Sequence, residues 1–175
     1  MPGAMPAPAD EPSRAQYFLC AGLLIVLAGQ ALYYYPQLPE HVASHFDGDG
    51  RPNGWTSREG FFGGVAFVVL IQSAAFLGLP RVLGRFPIAF INLPNKQYWL
   101  APERKQESLA YMTQMMAWFG AAILGMIVII NQMVIQANLG AEKRLSGLMW
   151  VVLAAFLGFV IVWMVILFRR FRLPP

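Results

Sequence analysis

Four long stretches without a charged residue constrain this chain more than any other feature. They lie between Arg14 and Glu40, Glu59 and Arg81, Glu107 and Glu142, and Arg144 and Arg169. Each is mostly apolar and exceeds 20 residues. A membrane-spanning helix needs about 20 such residues, whereas a helix on the surface of a soluble domain carries a polar face. The chain is therefore predicted to cross a membrane four times, at about residues 17–35, 61–79, 109–135 and 147–168.

The spans are predicted to be helices. Their apolar runs are continuous rather than alternating, which argues against the strands of a membrane β-barrel. Apolar residues make up 57% of the chain and charged residues 13%. A single soluble core of this size would leave too much apolar surface in water. The predicted fold class is an all-α integral membrane four-helix bundle with an ordered, outward-facing loop between helices 1 and 2.

The same pattern divides the chain into successive parts. Residues 1–16, rich in Pro and Ala, are predicted to be a disordered N-terminal tail. Residues 17–80 are a two-span unit built around a motif loop at 36–60. Residues 81–108 are a cytoplasmic loop and the start of a helix. The last part, 109–175, holds the third and fourth spans and a basic C-terminal end.

The basic residues predict the orientation in the membrane. Nine of them lie at the N-terminus, in the middle loop or at the C-terminus, and four lie in the other two loops. Because cytoplasmic loops collect Lys and Arg, both termini and the middle loop are placed in the cytoplasm. The first loop then faces outward. No nucleic-acid partner is expected, because the net charge of +4 follows from this bias and not from a basic cluster on a folded surface.

The first loop carries the most information. It contains three turn dipeptides, Asp47-Gly48, Asp49-Gly50 and Asn53-Gly54. Three prolines in the same stretch restrict the backbone further. The loop is therefore predicted to be tightly turned and ordered. Thr56 and Glu59 form a capping-box pattern, which is predicted to start the second span.

Ten positions of this loop follow one pattern. They are Leu38, Pro39, Val42, His45, Phe46, Asp47, Gly50, Pro52, Asn53 and Trp55. Together they resemble the signature of the bacterial membrane family called domain of unknown function 1648, which also forms the N-terminal part of SdpI-type immunity proteins. Ala43 stands where the family pattern has a second proline. The resemblance implies a bacterial cytoplasmic-membrane protein with a role in sensing, immunity or partner binding, and it implies no reaction.

The favoured function is therefore non-enzymatic. We expect a binding, immunity or signalling component whose outer loop is recognised by a peptide or a membrane-protein partner. The residues expected to form this binding site are Pro39, His45, Phe46, Asp47, Gly50, Asn53 and Trp55. No cofactor is expected, and glycines in the spans leave an oligomer open. The spans hold no ionisable residue of the kind that pumps and channels use, yet an accessory subunit of a transporter stays open.

The alternative is a metal site formed by His41, His45 and Asp47. Their spacings of four and two place all three on one face of a strand, and imidazole with carboxylate suits zinc. The chain would then be a metal-binding membrane protein or a membrane metalloenzyme. The favoured explanation is that His45 hydrogen-bonds the backbone of the following turns, because zinc ligands usually have supporting hydrogen bonds of their own.

A second motif lies in the predicted cytoplasmic loop. Its residues are Asn92, Pro94, Asn95, Tyr98 and Trp99, and they look like a segment common in longer members of the same family. The aromatic rings favour an interfacial anchor at the level of the lipid headgroups, and a docking surface for a partner is the alternative. Within the third span, Asn131 and Gln132 are expected to form interhelical hydrogen bonds.

Overall fold

The computed structural model describes residues 14–174. Within this range the α-helices are α1 (Ala15–Tyr34), α2 (Arg58–Ser73), α3 (Leu79–Val82), α4 (Lys96–Trp99), α5 (Pro102–Leu139) and α6 (Leu148–Arg170). Two strands, β1 (His41–Phe46) and β2 (Pro52–Ser57), lie between α1 and α2. A π-helical turn covers Ala74–Gly78, and 3-10 turns cover Leu83–Arg85 and Ile88–Phe90. Most of the predicted N-terminal tail lies outside the described residues, and α1 begins before that tail was expected to end.

Four helical segments of residues 14–174 are long and apolar enough to cross a membrane. They are Ala15–Tyr34, Arg58–Arg85, Pro102–Leu139 and Leu148–Arg170. They coincide with the four predicted spans and indicate a membrane protein. The third segment, α5, has 38 residues. At about 1.5 Å per residue it is about 57 Å long, so it extends well beyond a hydrocarbon core of about 30 Å.

The prediction of an all-α fold is wrong in one respect, because the first loop folds into an antiparallel hairpin. The strands pair from His41 opposite Ser57 to Phe46 opposite Pro52, and the register shifts on both sides of His45. Such bulges interrupt the two-residue alternation by which a strand is recognised in a sequence. The ordered loop that was predicted is therefore present as a twisted two-stranded sheet.

The helix α5 lies at the centre of the spans, and α1, α2 and α6 pack against it. Gly120 gives the closest approach to the second span, since an added Cβ would lie 2.8 Å from Phe76 Cβ. At the same place Gln72 Nε2 donates to the Gly120 carbonyl at 3.0 Å. Small residues and side-chain amides are the usual means by which helices associate in lipid. Along α6, which the structure describes in full, no side chain is buried.

Polar side chains link α1 to α5 toward the hairpin end of this apolar scaffold. Asn131 Nδ2 donates to Gln30 Oε1 at 2.8 Å, and Gln30 Nε2 donates to Gln132 Oε1 at 3.0 Å. Gln132 Nε2 in turn donates to Tyr34 Oη at 3.1 Å. The prediction that Asn131 and Gln132 form interhelical hydrogen bonds is confirmed. Bonds of this kind contribute about 0.6 kcal/mol each on average.

Candidate functional site

Asn138 fastens the hairpin to α5. The Ala43 backbone N–H donates to Asn138 Oδ1 at 2.7 Å, and Asn138 Nδ2 donates to the carbonyls of Ala43 and Val134, each at 2.9 Å. Ala43 and Asn138 are both buried. The amide thus satisfies the free edge of β1, where a buried backbone group without a partner would be costly. Sequence reasoning missed Asn138, because its partner in β1 lies far away along the chain.

Apolar side chains pack beneath the hairpin around this contact. The buried members of the cluster are Leu38, Val42, Phe61, Val134, Ile135, Ala137 and Leu145. They come from β1, from the chain before it, from α2, from α5 and from the loop that follows α5. The hairpin is therefore held by its neighbours in sequence and by side chains of α5 and the loop after it, which are distant in sequence.

Asp47 organises the turn between the strands. Its Oδ1 atom accepts hydrogen bonds from the backbone N–H groups of Asp49 and Arg51, at 3.0 and 2.8 Å. A short side chain that accepts from the backbone in this way is typical of Asp in turns. Asp47, and not His45, therefore accepts the hydrogen bonds of the turn backbone. The expectation that His45 would bond to this backbone is wrong.

Gly50 joins this turn to the loop between α5 and α6, at residues 140–147. Its φ is +79°, in the left-handed region that favours glycine. The Leu145 N–H donates to the Gly50 carbonyl at 2.9 Å, and Arg144 Nε donates to the Asp49 carbonyl at 3.1 Å. The two loops at this end of the helices therefore form one unit.

Gly50→Ala is expected to lower the free energy of unfolding by about 1–3 kcal/mol. A Cβ at this position would lie 2.5 Å from the Leu145 carbonyl oxygen. Gly48→Ala is the matched control, because its Cβ would meet only Trp150 Cζ2, at 4.0 Å. Denaturant titration of the purified proteins in detergent measures both effects. An equal change in the two variants would show that the contact between the loops does not hold the turn.

His45 lies at the bulge and pairs with Asn53. Its Nδ1 atom lies 2.6 Å from Asn53 Oδ1, and both side chains are exposed. With the amide oxygen as the acceptor, Nδ1 carries the hydrogen. Gly54 stands opposite His45, and a Cβ there would lie 2.8 Å from His45 Cβ. The predicted turn at Asn53-Gly54 is therefore wrong, because this glycine permits the close approach of two strands.

The aromatic residues of the motif occupy different environments. Trp55 is 50% exposed, and Lys143 Nζ lies 5.0 Å from the centre of its ring. Phe46 is half-buried and packs against the apolar cluster beneath the hairpin. Pro39 is half-buried just before β1. The predicted site residues whose side chains are exposed on the strands of the hairpin are thus His45, Asn53 and Trp55.

Arg58 closes the base of the hairpin. Its Nη1 atom donates to the carbonyls of Tyr35 and Leu38, each at 3.1 Å. The Tyr35 hydroxyl donates to Glu59 Oε1 at 2.8 Å, and this hydrogen bond to a carboxylate raises the pKa of Tyr35 above its ordinary value. The end of α1 and the start of α2 are therefore tied together where the chain enters and leaves the hairpin.

The start of α2 differs by one residue from the predicted capping box. Ser57 is the N-cap, and its hydroxyl accepts from the Gly60 N–H at 3.0 Å. Thr56 cannot take that position because it still pairs with Val42 in the sheet. Strand pairing has thus moved the helix start toward the C-terminus.

A groove of about 630 Å³ lies between the turn of the hairpin and the start of α6. Its apolar lining comes from Ile130, Val134, Leu145, Met149, Trp150 and Leu153, and its polar lining includes His45, Asp47, Asp49 and Arg144. An apolar concavity with a few convergent polar groups is typical of ligand-binding sites. The groove therefore places four predicted site residues, His45, Phe46, Asp47 and Gly50, beside apolar surface from the spans.

The geometry does not favour the metal alternative. Across residues 14–174, no group of three or more His, Cys, Asp and Glu side chains is placed to hold a metal ion. His45 is engaged with Asn53, and Asp47 with the turn amides. His41 stands at the far end of β1, opposite Ser57. The bulge breaks the common strand face on which the three residues were expected to meet.

The second predicted motif lies at the opposite end of the helices and packs onto Phe171. Asn95 has a left-handed φ of 52°, and its Nδ2 donates to the Phe171 carbonyl at 2.9 Å. The Trp99 ring meets Phe171 edge-on at 5.7 Å. Arg170 lies over the Trp99 ring at 4.7 Å and pairs with Glu107 at 2.5 Å. This part of the motif therefore fixes the end of α6 against the middle loop.

The remaining residues of that motif take little part in this contact. The guanidinium carbon of Arg104 lies 3.9 Å from the centre of the Tyr98 ring. Arg104 Nε also donates to the Tyr98 carbonyl at 2.9 Å. Asn92 is exposed and Pro94 is half-buried. The interfacial anchor and the docking surface both stay predictions for these residues.

The fold and the site define a membrane protein in which an antiparallel hairpin is docked on a four-span helical scaffold. Residues 22–70 match the family model described as domain of unknown function (DUF1648). This segment contains most of α1, the whole hairpin and most of α2, and the resemblance carried by the loop is confirmed there. No curated protein and no solved structure gives a significant match to the chain. The family description assigns no activity.

Proposed function

We propose that this chain is a non-enzymatic binding component of the immunity or signalling type. In this proposal the hairpin binds a peptide or a membrane-protein partner. The observation that carries the proposal is the exposure of His45, Asn53 and Trp55 on a backbone that Asn138 and Leu145 hold from beneath. Binding to a preorganised surface costs little ordering entropy, and exposed Trp is enriched among residues that dominate binding energies.

The proposal places the hairpin outside a bacterial cytoplasmic membrane. Nine of the 13 basic residues belong to the end of the helices opposite the hairpin, including three at the end of α6: Arg169, Arg170 and Arg172. This bias supports cytoplasmic termini by the positive-inside rule. The same orientation turns the groove beside α6 toward the outer surface, where a partner arriving from outside would meet it.

The groove suggests which partner chemistry fits. Its floor is apolar, whereas Asp47, Asp49 and Arg144 contribute charge at its edge. An amphipathic segment can bury an apolar face in such a groove and hydrogen-bond at the rim. A short amphipathic peptide, free or belonging to a membrane protein, is therefore the partner class that we favour.

Purification from native membranes tests the proposal. The tagged full chain, His45→Ala and Trp55→Ala are purified in mild detergent, and co-purifying proteins are quantified by mass spectrometry. A partner is expected with the unchanged chain, and each variant is expected to recover about tenfold less of it, as for a residue that dominates an interface. His41→Ala is the matched control, because His41 is exposed on the same strand as His45 but lies at its far end, opposite Ser57.

The other outcomes separate the alternatives. A partner profile unchanged in two well-folded variants contradicts the proposal. Stoichiometric zinc that is lost from both His41→Ala and His45→Ala would favour the metal-binding alternative. A co-purifying transporter that stays bound in all variants would favour an accessory subunit that docks elsewhere.

A further inference from the structure

A second groove, between α1 and α2, reaches a buried amide of α5. Its volume is about 430 Å³. The apolar lining is Leu24, Leu27, Ala28, Ala31, Phe62, Val65, Ala66, Val69 and Leu70. The only polar side chains among the lining residues that the structure describes are Ser73 and Asn131. This groove is separate from the hairpin and lies along the membrane-spanning helices.

The hydrogen-bond network fixes the orientation of Asn131. Gln30 Nε2 donates to the Val128 carbonyl at 3.1 Å, and a carbonyl can only accept. Gln30 Oε1 is therefore an acceptor, and Asn131 Nδ2 must donate to it. Asn131 Oδ1 is then the acceptor that this side chain can offer to the groove.

That oxygen is buried and lacks a partner in the described part of the chain. Asn131 is only 5% exposed, and Asn131 Oδ1 accepts no hydrogen bond from residues 14–174. The Ser73 hydroxyl is in the same situation. Hydrocarbon contains no water to satisfy such atoms, and each one left alone there is costly. An unsatisfied, buried acceptor that lines this groove points to an occupant that can donate a hydrogen bond.

The shape of the groove indicates an extended, narrow occupant. Alanines on both walls, at Ala28, Ala31 and Ala66, leave the space that larger side chains would fill. On α2 the lining runs from Phe62 to Ser73, which is about 16 Å along a helix axis. The volume lies within the usual range for small-ligand sites. A single hydrocarbon chain fits this description better than a bulky ring system does.

We propose that this groove binds a single-chain lipid that bears a hydroxyl group. The hydroxyl donates to Asn131 Oδ1, and the hydrocarbon chain extends between α1 and α2 toward Ser73. An acyl chain of an ordinary phospholipid fits the apolar walls, but it carries no donor and leaves Asn131 Oδ1 unsatisfied. A hydrogen-bond donor is therefore the property that distinguishes this ligand from the surrounding bilayer.

Photolabelling with a long-chain alcohol tests this inference. The full chain in detergent is exposed to a 1-dodecanol analogue that carries a mid-chain diazirine, and the labelled peptides are mapped by mass spectrometry. Label is expected within residues 24–31 and 62–73. Unlabelled 1-dodecanol is expected to compete about tenfold better than dodecyl methyl ether, which has the same chain but no donor.

Two variants and a control sharpen the test. Asn131→Leu is expected to abolish the advantage of the alcohol over the ether. Because this change also removes the partner of Gln30, Ala66→Phe is the second variant, since it fills the groove and leaves the network intact. It is expected to lower labelling at least about tenfold. Ala155→Phe, on exposed α6, is the control and is expected to label as the unchanged chain does.

Three results would overturn the inference. The first is equal competition by the alcohol and the ether. The second is undiminished labelling of Ala66→Phe. The third is labelling that falls as the ratio of protein to detergent rises, which would assign the groove to a second copy of the chain. None of these results bears on the hairpin, so this inference and the proposed function stand or fall separately.

Discussion

Asn138→Ala is expected to lower the free energy of unfolding by about 3 kcal/mol. The variant leaves the N–H and the carbonyl of Ala43 without their side-chain partner, and Ala43 is fully buried. A buried backbone group that loses its hydrogen bond costs about 1–3 kcal/mol. Titration of the purified protein in mixed detergent micelles with a denaturing detergent, followed by tryptophan fluorescence, measures the change.

A variant on the same helix provides the control for this prediction. Gln136 is exposed, and its only side-chain hydrogen bond to residues 14–174 is a long one, 3.4 Å from Nε2 to Tyr34 Oη. Gln136→Ala is expected to change the free energy of unfolding by no more than about 0.5 kcal/mol. If both variants destabilise the protein equally, Asn138 does not act as the fastening of the hairpin.

Phe171→Ala is expected to have an effect of similar size at the other end of the molecule, about 3–5 kcal/mol. Phe171 is fully buried among Ile91, Leu93, Leu100 and Met112. Removal of its ring would leave a cavity where the middle loop meets the end of α6. It would also remove the edge-on contacts of that ring with Trp99 and Tyr111, at 5.7 and 5.8 Å.

The matched control for the ring is Phe168→Ala. Phe168 lies in the last turn of α6, just before Phe171, and is 48% exposed, so it faces lipid and not the core. Its truncation is expected to cost much less, because a lipid chain can take the place of the ring. The same micelle titration compares the two variants. Equal losses would contradict a second core at the basic end of the helices.

The spans could be predicted from sequence because their signal is local and redundant. More than 20 successive uncharged, mostly apolar residues in a bilayer favour a helix, because a helix satisfies the backbone hydrogen bonds within the segment itself. Even so, the third helix, Pro102–Leu139, is longer than the span predicted at residues 109–135. Its extension carries Asn138 to the hairpin.

The hairpin could not be recognised in the same way. The register shift beside His45 breaks the alternation of β1, and the glycine at Gly54 resembles a turn signal. The resemblance to a family pattern singled out the right loop residues without showing that they form strands. At His45 and Gly54 the sequence does not follow the two-residue alternation of a regular strand, as is common where a bulge bends the strand.

The partners of the site residues lie too far along the chain for a local pattern to find. Ala43 and Asn138 are 95 residues apart, and Gly50 and Leu145 are equally distant. Nothing in the spacing of either segment indicates these contacts. An amide near the end of an apolar helix was the one available signal for Asn138, because such a group needs a partner wherever it is buried.

Hydrogen exchange of the full chain in lipid nanodiscs tests most directly the claim that the hairpin is a rigid, docked surface. The account predicts that the backbone amides of β1 and β2, Ala43 above all, exchange at least about a hundredfold more slowly than an unstructured peptide. Protection should reach the Leu145 amide, which bonds to Gly50. Exchange of residues 41–57 at the rate of an unstructured peptide would contradict the account, because the loop would then have no fixed surface to offer a partner.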